Sequence, residues 1–560
     1  MLSKTQSYFF FAAIIAVYII SGFIDVMDVD AAQYASIARE MLERGDYLHV
    51  TNRYQDYLDK PPLLFWLSAL SFKIFGISNF VYKLPSLLFA LLGIFSTYKL
   101  GKLLYSEKTG ILSALIFASC QAMFLITNDV RTDTILTGAI ILSIWNIAAY
   151  NQSGKWISIL AGFVGIALAM LAKGPIGLMA PALAFGSHFI LRREWKSIFR
   201  WQWIVGLLVV IILISPMLMG LYQQFDLHPE KGISGVRFYL WDQSFGRLTG
   251  DNPFINSQQK PQDTDPFFFV HSFLWAFLPW SLFFIFGYWQ KLKRIFLSRF
   301  KLNETEEAIT IGGFTLVFIA MSLSDYKLPH YIFIVFPLAA IISADYLLRI
   351  FENSEKKKLQ HIFSVVQSIT IALVWLVILV LCVYSFPIKS LLLWVSLILF
   401  LTLNTYFIVI KSETLQKFIV VSLVTMIGAN FILSTHFYPT LLSYQSNVAA
   451  GRFIESKNIP NEQFVCYISG GHSLDFYSKR IVPWIQSPQE LNDKMQHGKA
   501  WVFTNEEGKR NLEKENLLPD SVITYSDYKV TMLSLPFLKP AEREKMLKKK
   551  YLLRFQKINS

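Results

Sequence analysis

The chain has 560 residues, of which 54% are hydrophobic and only 16% charged, with a mean hydropathy of +0.42. Soluble domains carry roughly 25% charged residues, so a water-soluble fold of this size is set aside. The net charge of +13 falls in clusters between apolar runs, which is a topological pattern and not a nucleic-acid-binding patch.

A bilayer core of about 30 Å needs on the order of 20 apolar residues per helix, and about thirteen runs meet that need. They lie near residues 7–24, 80–98, 111–127, 134–150, 156–172, 175–191, 202–222, 267–287, 308–324, 328–348, 362–385, 388–410 and 416–436. The run 63–75 is short and sits between two breaks, so it is expected to be interfacial or re-entrant. The first run lacks a small-residue cleavage site and reads as an anchor. With the N-terminus inside, the cytoplasmic connections carry Lys99, Lys102 and Lys108, then Arg192, Arg193 and Lys196, then Lys291, Lys293 and Arg294, then Lys356 to Lys358. This obeys the positive-inside rule.

The fold expected is an α-helical polytopic membrane protein, with a transmembrane domain over 1–437. Its long outer loops, near 25–79 and 223–266, form the active-site side, because loops of that length are usually functional. Residues 438–560 then fall outside as a small C-terminal α/β domain. Strands are expected over Phe464 to Ile468, Ala500 to Thr504 and Val530 to Leu535, and helices over Asn447 to Ser456 and Pro488 to Gln496.

Under this topology the ionisable residues outside the cytoplasmic clusters converge on one surface: Asp28, Asp30, Asp59, Lys60, Arg131, Asp133, Lys173, Asp325 and Lys327. Each has a bland alternative. Asp30 begins a capping-box-like Asp30-Ala31-Ala32-Gln33, Asp133 stands at the start of a run, and Lys60 and Lys173 could be snorkelling lysines at helix ends. Convergence from five loops weighs against five separate coincidences, since charges at helix edges tend to line cavities. No disulfide framework or metal cluster can be built from Cys120, Cys382 and Cys466.

Several ordered motifs then become recognisable. Asp30-Ala31-Ala32-Gln33-Tyr34 runs on to Gly45-Asp46-Tyr47. Asp59-Lys60-Pro61-Pro62, Arg131-Thr132-Asp133-Thr134 through Gly138, Ala172-Lys173-Gly174-Pro175 and Lys327-Leu328-Pro329-His330-Tyr331 follow. Together they resemble the bacterial lipid A aminoarabinose transferases and the wider protein mannosyltransferase superfamily of the GT-C fold. The resemblance covers roughly residues 20–345. It implies inverting transfer of a sugar from a polyprenyl-phosphate (undecaprenyl-phosphate-type) donor to a lipid, glycan or protein acceptor. It also implies a bacterial inner membrane location, with the C-terminal domain periplasmic.

In that family Asp30 matches the key first-loop aspartate and Asp133 a second acidic position, Lys60 matches a donor-pocket lysine, and Lys327 matches a basic residue near the donor phosphate. Two positions depart from the family: Asp59 replaces a glutamate, and Ser244 stands where a histidine is expected within Trp241 to Arg247. A divalent ion is the one candidate cofactor, with Asp59 and His271 as candidate ligands.

The chemistry agrees without the family. A lipid phosphate is already a good leaving group, so cations are needed to neutralise it. Lys60, Lys173, Lys327 and Arg131 are the candidates. A hydroxyl acceptor needs a base, for which Asp30 is the choice, with Asp133 beside it. A phosphate acceptor needs none, and Asp30 would then position it. Asp59, Tyr34, Asp28 and Tyr331 are expected in acceptor-binding or supporting roles. The rivals are a transporter or flippase, which would put charges near the midplane in matched broken helices, and an oligosaccharide transferase or polymerase of the same fold. The partners expected are the lipid-linked donor, the acceptor and membrane lipids, with no nucleic acid.

Overall fold

The computed structural model describes residues 2–243, 246, 265–324, 326–410, 414–496 and 498–556. Asp325 and the stretch around Ser244 lie outside the described residues, as does most of the loop reaching to 266.

The chain opens with α1 (Lys4–Gly22), started by a capping box in which Ser3 Oγ accepts from Gln6 N while Gln6 Oε1 accepts from Ser3 N. Next come α2 (Asp30–Arg44), a two-stranded hairpin β1 (Thr51–Asn52) and β2 (Gln55–Asp56), and α3 (Leu63–Phe75). At 13 residues α3 is about 20 Å long, too short to span a bilayer. The bundle proper is built on α4 (Asn79–Leu104), α5 (Glu107–Ser119), α6 (Gln121–Asn128), α7 (Thr132–Ser153) and α8 (Trp156–Lys173). α4 and α7 pack so closely that a Cβ on Gly138 would lie 2.3 Å from Phe89 O, which gives the glycine of the Arg131-to-Gly138 motif a packing reason.

Among the described residues, nine helical stretches are long and apolar enough to cross a membrane, and α5 with α6, bent by 54°, would make a tenth. The bend falls at Cys120, whose backbone is extended (φ −68°, ψ 149°). The remaining apolar runs are interrupted or short. Ile176–Arg192 and Ile309–Ser322 have 17 and 14 residues, and the run near 267–287 breaks into Phe268–Ala276 and Ser281–Leu297 around Pro279. Proline cannot donate to the helical ladder, so the break is expected on chemistry. The multi-pass helical fold expected from composition is present, with breaks that hydropathy alone does not register.

The C-terminal region folds into a five-stranded mixed sheet, ordered β4-β3-β5-β7-β6. Its strands are β3 (Phe464–Tyr467), β4 (Trp484–Ile485), β5 (Ala500–Asn505), β6 (Ser521–Asp527) and β7 (Lys548–Phe555). β3 runs parallel to β4 and β5, while β7 is antiparallel to β5 and β6. Val530 to Leu535 is not a strand; it belongs to the connection between β6 and β7. This connection carries the short helices Leu535–Leu538 and Pro540–Met546.

Candidate functional site

α7 starts at the centre of the polar cluster. Arg131, its N-cap residue, has extended backbone and points its guanidinium back at two carboxylates. Nε donates to Asp129 Oδ2 at 2.9 Å, and Nη1 donates to Asp30 Oδ2. Although burial disfavours its charge, Asp129 and Asp30 hold the Arg131 guanidinium above its ordinary pKa. Asp30 is the first residue of α2, and Val29, which cannot cap through its side chain, holds the N-cap position. The capping-box reading therefore does not describe it, and its partner comes from 101 residues away.

Two residues into α7, Asp133 is 2% exposed and accepts from Lys173 Nζ at 2.5 Å. His330 Nε2 lies 3.7 Å from its other oxygen. Lys173, the last residue of α8, also stands over the ring of Tyr331 at 3.5 Å, a short cation–π contact. A buried carboxylate of this kind needs such partners, because an unpaired charge away from water is strongly penalised. Lys60 pairs with Asp59 at 2.8 Å, and Gln243 donates from its side chain to the Asp59 carbonyl.

Lys60, Lys173 and Gln243 open onto one recess, otherwise lined mainly by Leu136, Pro175, Ile176, Met179, Met321, Tyr326, Tyr331 and Ile334. Its volume is about 110 Å³. Cations thus meet hydrocarbon at one mouth, a combination suited to an amphiphile with an anionic head.

Not every expected residue gathers here. Lys327 donates to Asp265 O at 3.1 Å and does not line the recess. Asp28 faces the C-terminal region, close to Ser473, Lys550 and Asp527, and its carboxyl is raised by burial. Its backbone N–H donates to Gln445 Oε1 at 2.7 Å. Tyr34 is buried beside Phe65, 5.7 Å between ring centres. His271 is on an exposed face of Phe268–Ala276, edge-on to Phe268 at 5.2 Å. Among the described residues no group of three or more His, Cys, Asp or Glu side chains is arranged to hold a metal.

Sequence reasoning passed over Asp129, His330 and Lys83. His330 lies within the Lys327-to-Tyr331 motif, so its proximity to Asp133 has a signal in the sequence. Lys83 had none: it is buried within α4 and donates to Ser21 O at 3.2 Å, Ile24 O at 2.9 Å and Asn128 Oδ1 at 3.4 Å. It ties the end of α1 to the end of α6, immediately before the Asp129–Arg131 pair.

Residues 59–219 match the dolichyl-phosphate-mannose-protein mannosyltransferase family. An uncharacterized protein of Aquifex aeolicus is 26% identical over 322 residues, 56% of this chain and 58% of that protein. An undecaprenyl phosphate-alpha-4-amino-4-deoxy-L-arabinose arabinosyl transferase of Shewanella sediminis is 26% identical over 352 residues. That match covers 60% of this chain and 58% of the relative, so somewhat under two thirds of these relatives' length is matched. The crystal structure of ArnT from Cupriavidus metallidurans bound to undecaprenyl phosphate superposes with a TM-score of 0.72 at 16% identity, covering 98% of each chain. The chain has the GT-C fold, and it resembles the lipid A aminoarabinose transferases and protein mannosyltransferases that share it.

Proposed function

We propose that this protein transfers a sugar, with inversion, from a polyprenyl-phosphate donor to a lipid, glycan or protein acceptor at the non-cytoplasmic face of a bacterial inner membrane. The observation that carries the reading is the mixed recess. Lys60 and Lys173 line a largely apolar recess, and Asp133, the ion-pair partner of Lys173, stands two residues along the chain from Arg131, which pairs with Asp30. A long hydrocarbon carrying one phosphate matches both halves of that lining. The relatives named for transfer from undecaprenyl phosphate, and the neighbour bound to it, support the same donor class.

In this reading Lys60 and Lys173 neutralise the departing phosphate and Lys327 supports them from outside the recess lining, while Asp133 aims Lys173. Asp30 meets the acceptor. Arg131 engages its Oδ2, so Oδ1 is the oxygen that would take a proton from a hydroxyl as the anomeric carbon is attacked from the opposite face. With a phosphate acceptor, Arg131 would hold the anion and Asp30 would orient it. The catalytic part comprises residues 1–437 and the outer domain residues 438–560, with the N-terminus in the cytoplasm. Comparative mass spectrometry of envelope glycolipids and glycoproteins from a deletion strain tests the activity. One sugar-bearing species should disappear while its polyprenyl-phosphate sugar accumulates, and unchanged profiles of both would overturn the reading.

A further inference from the structure

The connection between β6 and β7 is pinned to the rim of the helical bundle. Phe537 is fully buried, stacked on Tyr528 with 3.6 Å between ring centres and packed on Tyr444 at 5.4 Å. Arg543 donates to Ser385 O at 2.5 Å and lies 4.0 Å over the ring of Phe386. Ser385 closes one apolar stretch, Lys357–Ser385, and the next, Leu391–Val409, begins six residues later. The connection therefore sits at the level where two membrane helices turn.

Two properties of it concern its outer surface. It exposes large apolar side chains, with Met532 63%, Leu533 44% and Leu535 76% accessible. It also exposes Lys529, Lys545, Lys548 and Lys549. Single exposed apolar residues are ordinary, but these flank Phe537, whose ring centre lies 6.1 Å from that of Phe386, a few residues before Leu391 and Leu392, which are 78% and 73% exposed. Those two open a helix whose most apolar window is only 11% buried, so its surface is lipid-facing. Apolar side chains flanked by lysines, on a connection packed against the turn before a lipid-facing helix, have the composition of an interfacial segment. The far end of the sheet is different. β6 and β7 are in register from Asp527 with Lys548 to Ser521 with Arg554, which carries Ser521 and the neighbouring Leu518 about 20 Å along the strands.

We propose that residues 529–549 rest on the bilayer surface, with Met532, Leu533 and Leu535 entering the acyl boundary and Lys545, Lys548 and Lys549 meeting anionic lipid headgroups. The C-terminal sheet is then held to the membrane by lipid as well as by protein. This stands independently of the reaction catalysed and needs only that the helices span a bilayer.

The test uses the full chain in lipid nanodiscs with and without phosphatidylglycerol, carrying one introduced cysteine at 532, 535 or 518 labelled with a small fluorophore. The native cysteines are buried and stay unlabelled. Leu518, 73% exposed, is the reference. Nitroxide-bearing lipid should quench labels at 532 and 535 at least about threefold more than at 518, with the opposite order for aqueous iodide. Reversing Lys545, Lys548 and Lys549 to glutamate should reduce lipid quenching at 535 in the anionic discs to the level in neutral ones. Equal quenching at 535 and 518 would overturn the proposal, as would shielding of 535 from both quenchers, which would mark a protein contact instead. Insensitivity to the charge reversal would overturn the headgroup half.

Discussion

Ion pairing decides most of the chemistry at residue scale. Asp133 lies almost without solvent between Lys173 and His330, so removing only the lysine strands a buried carboxylate. Lys173→Met should cost roughly 3–5 kcal/mol of stability, while adding Asp133→Asn should recover much of it, since taking both charges out leaves no uncompensated ion. Thermal unfolding of the purified single and double variants checks this. Equal losses in both would contradict the pairing. The convergence of Asp30, Lys60, Arg131, Asp133 and Lys173 was readable from loop order and the positive-inside rule. Their pairing was not: Asp30 looked like a helix cap because capping is a local pattern, whereas its guanidinium partner is set by tertiary packing. Asp28, only two residues before Asp30, turns to the C-terminal region instead, and nothing in periodicity distinguishes them. Asp59 is engaged with Lys60 and His271 packs on Phe268. Chelation is accordingly expected to leave turnover unchanged, and activity lost to a chelator and restored by one divalent ion would require ligands other than this pairing supplies.

At the scale of elements, the first outer loop is fastened by a buried polar seam. Glu40 on α2, 2% exposed, accepts from Arg53 N at 2.7 Å, Tyr54 N at 2.9 Å and the Thr51 hydroxyl. It thereby holds the β1–β2 turn, where Arg53 and Tyr54 both take positive φ (56° and 62°), a conformation costly for side chains of this size. The same Arg53 pairs with Asp475 at 3.0 Å, and buried Arg39 donates to Asp475 O at 2.7 Å, so the loop is docked on the C-terminal helix His472–Tyr477. Burial lifts the Asp475 carboxyl to about 6, against the opposing pull of Arg53 and the Val482 N–H. Between its ordinary value of 3.8 and about 6 the folded protein holds the extra proton, so this group's contribution to stability falls as pH rises through that window. His472, which burial lowers to about 4, gives the opposite slope, because only the unfolded chain binds its proton there. The two offset each other in the parent protein. Asp475→Asn removes one, and its stability relative to the parent should rise between about pH 4 and 7 by up to ~3 kcal/mol, the scale of two pKa units. A pH-independent difference in unfolding temperature would show that Asp475 is not held protonated in the folded state.

Strand recognition in this region was uneven for a physical reason. β3 and the buried positions of β5 are apolar runs and were legible. β6 is an edge strand whose side chains alternate between half-buried and exposed, and β7 begins with Lys548, Lys549 and Lys550, which read as a charged tail although Tyr551 to Leu553 are buried. The apolar Val530 to Leu535 looked like a strand, but its large side chains are mostly exposed and its backbone turns.

For the whole molecule, hydropathy conveyed the multi-pass architecture because a lipid solvent forces every spanning segment to satisfy its own backbone. The break at Cys120 and the short Ile309–Ser322 escaped it because they depend on backbone geometry within apolar sequence, while the break at Pro279 follows from proline chemistry that hydropathy does not count. The orientation proposed puts exposed Gln55 and Leu518 on the outer side and exposed Phe296 inside. In intact spheroplasts, cysteines at 55 and 518 should react with an impermeant thiol reagent and one at 296 should not. Labelling at 296 would invert the topology. The transfer reaction proposed assigns its chemistry to Asp30, whose side chain pairs with Arg131. The decisive measurement is therefore turnover of a polyprenyl-phosphate sugar by purified Asp30→Asn protein, with its fold verified by unfolding temperature. Turnover should drop by about 10² or more, the scale of a lost general base, with the protein intact; full turnover in a well-folded variant would contradict the assignment and move the chemistry to Asp133.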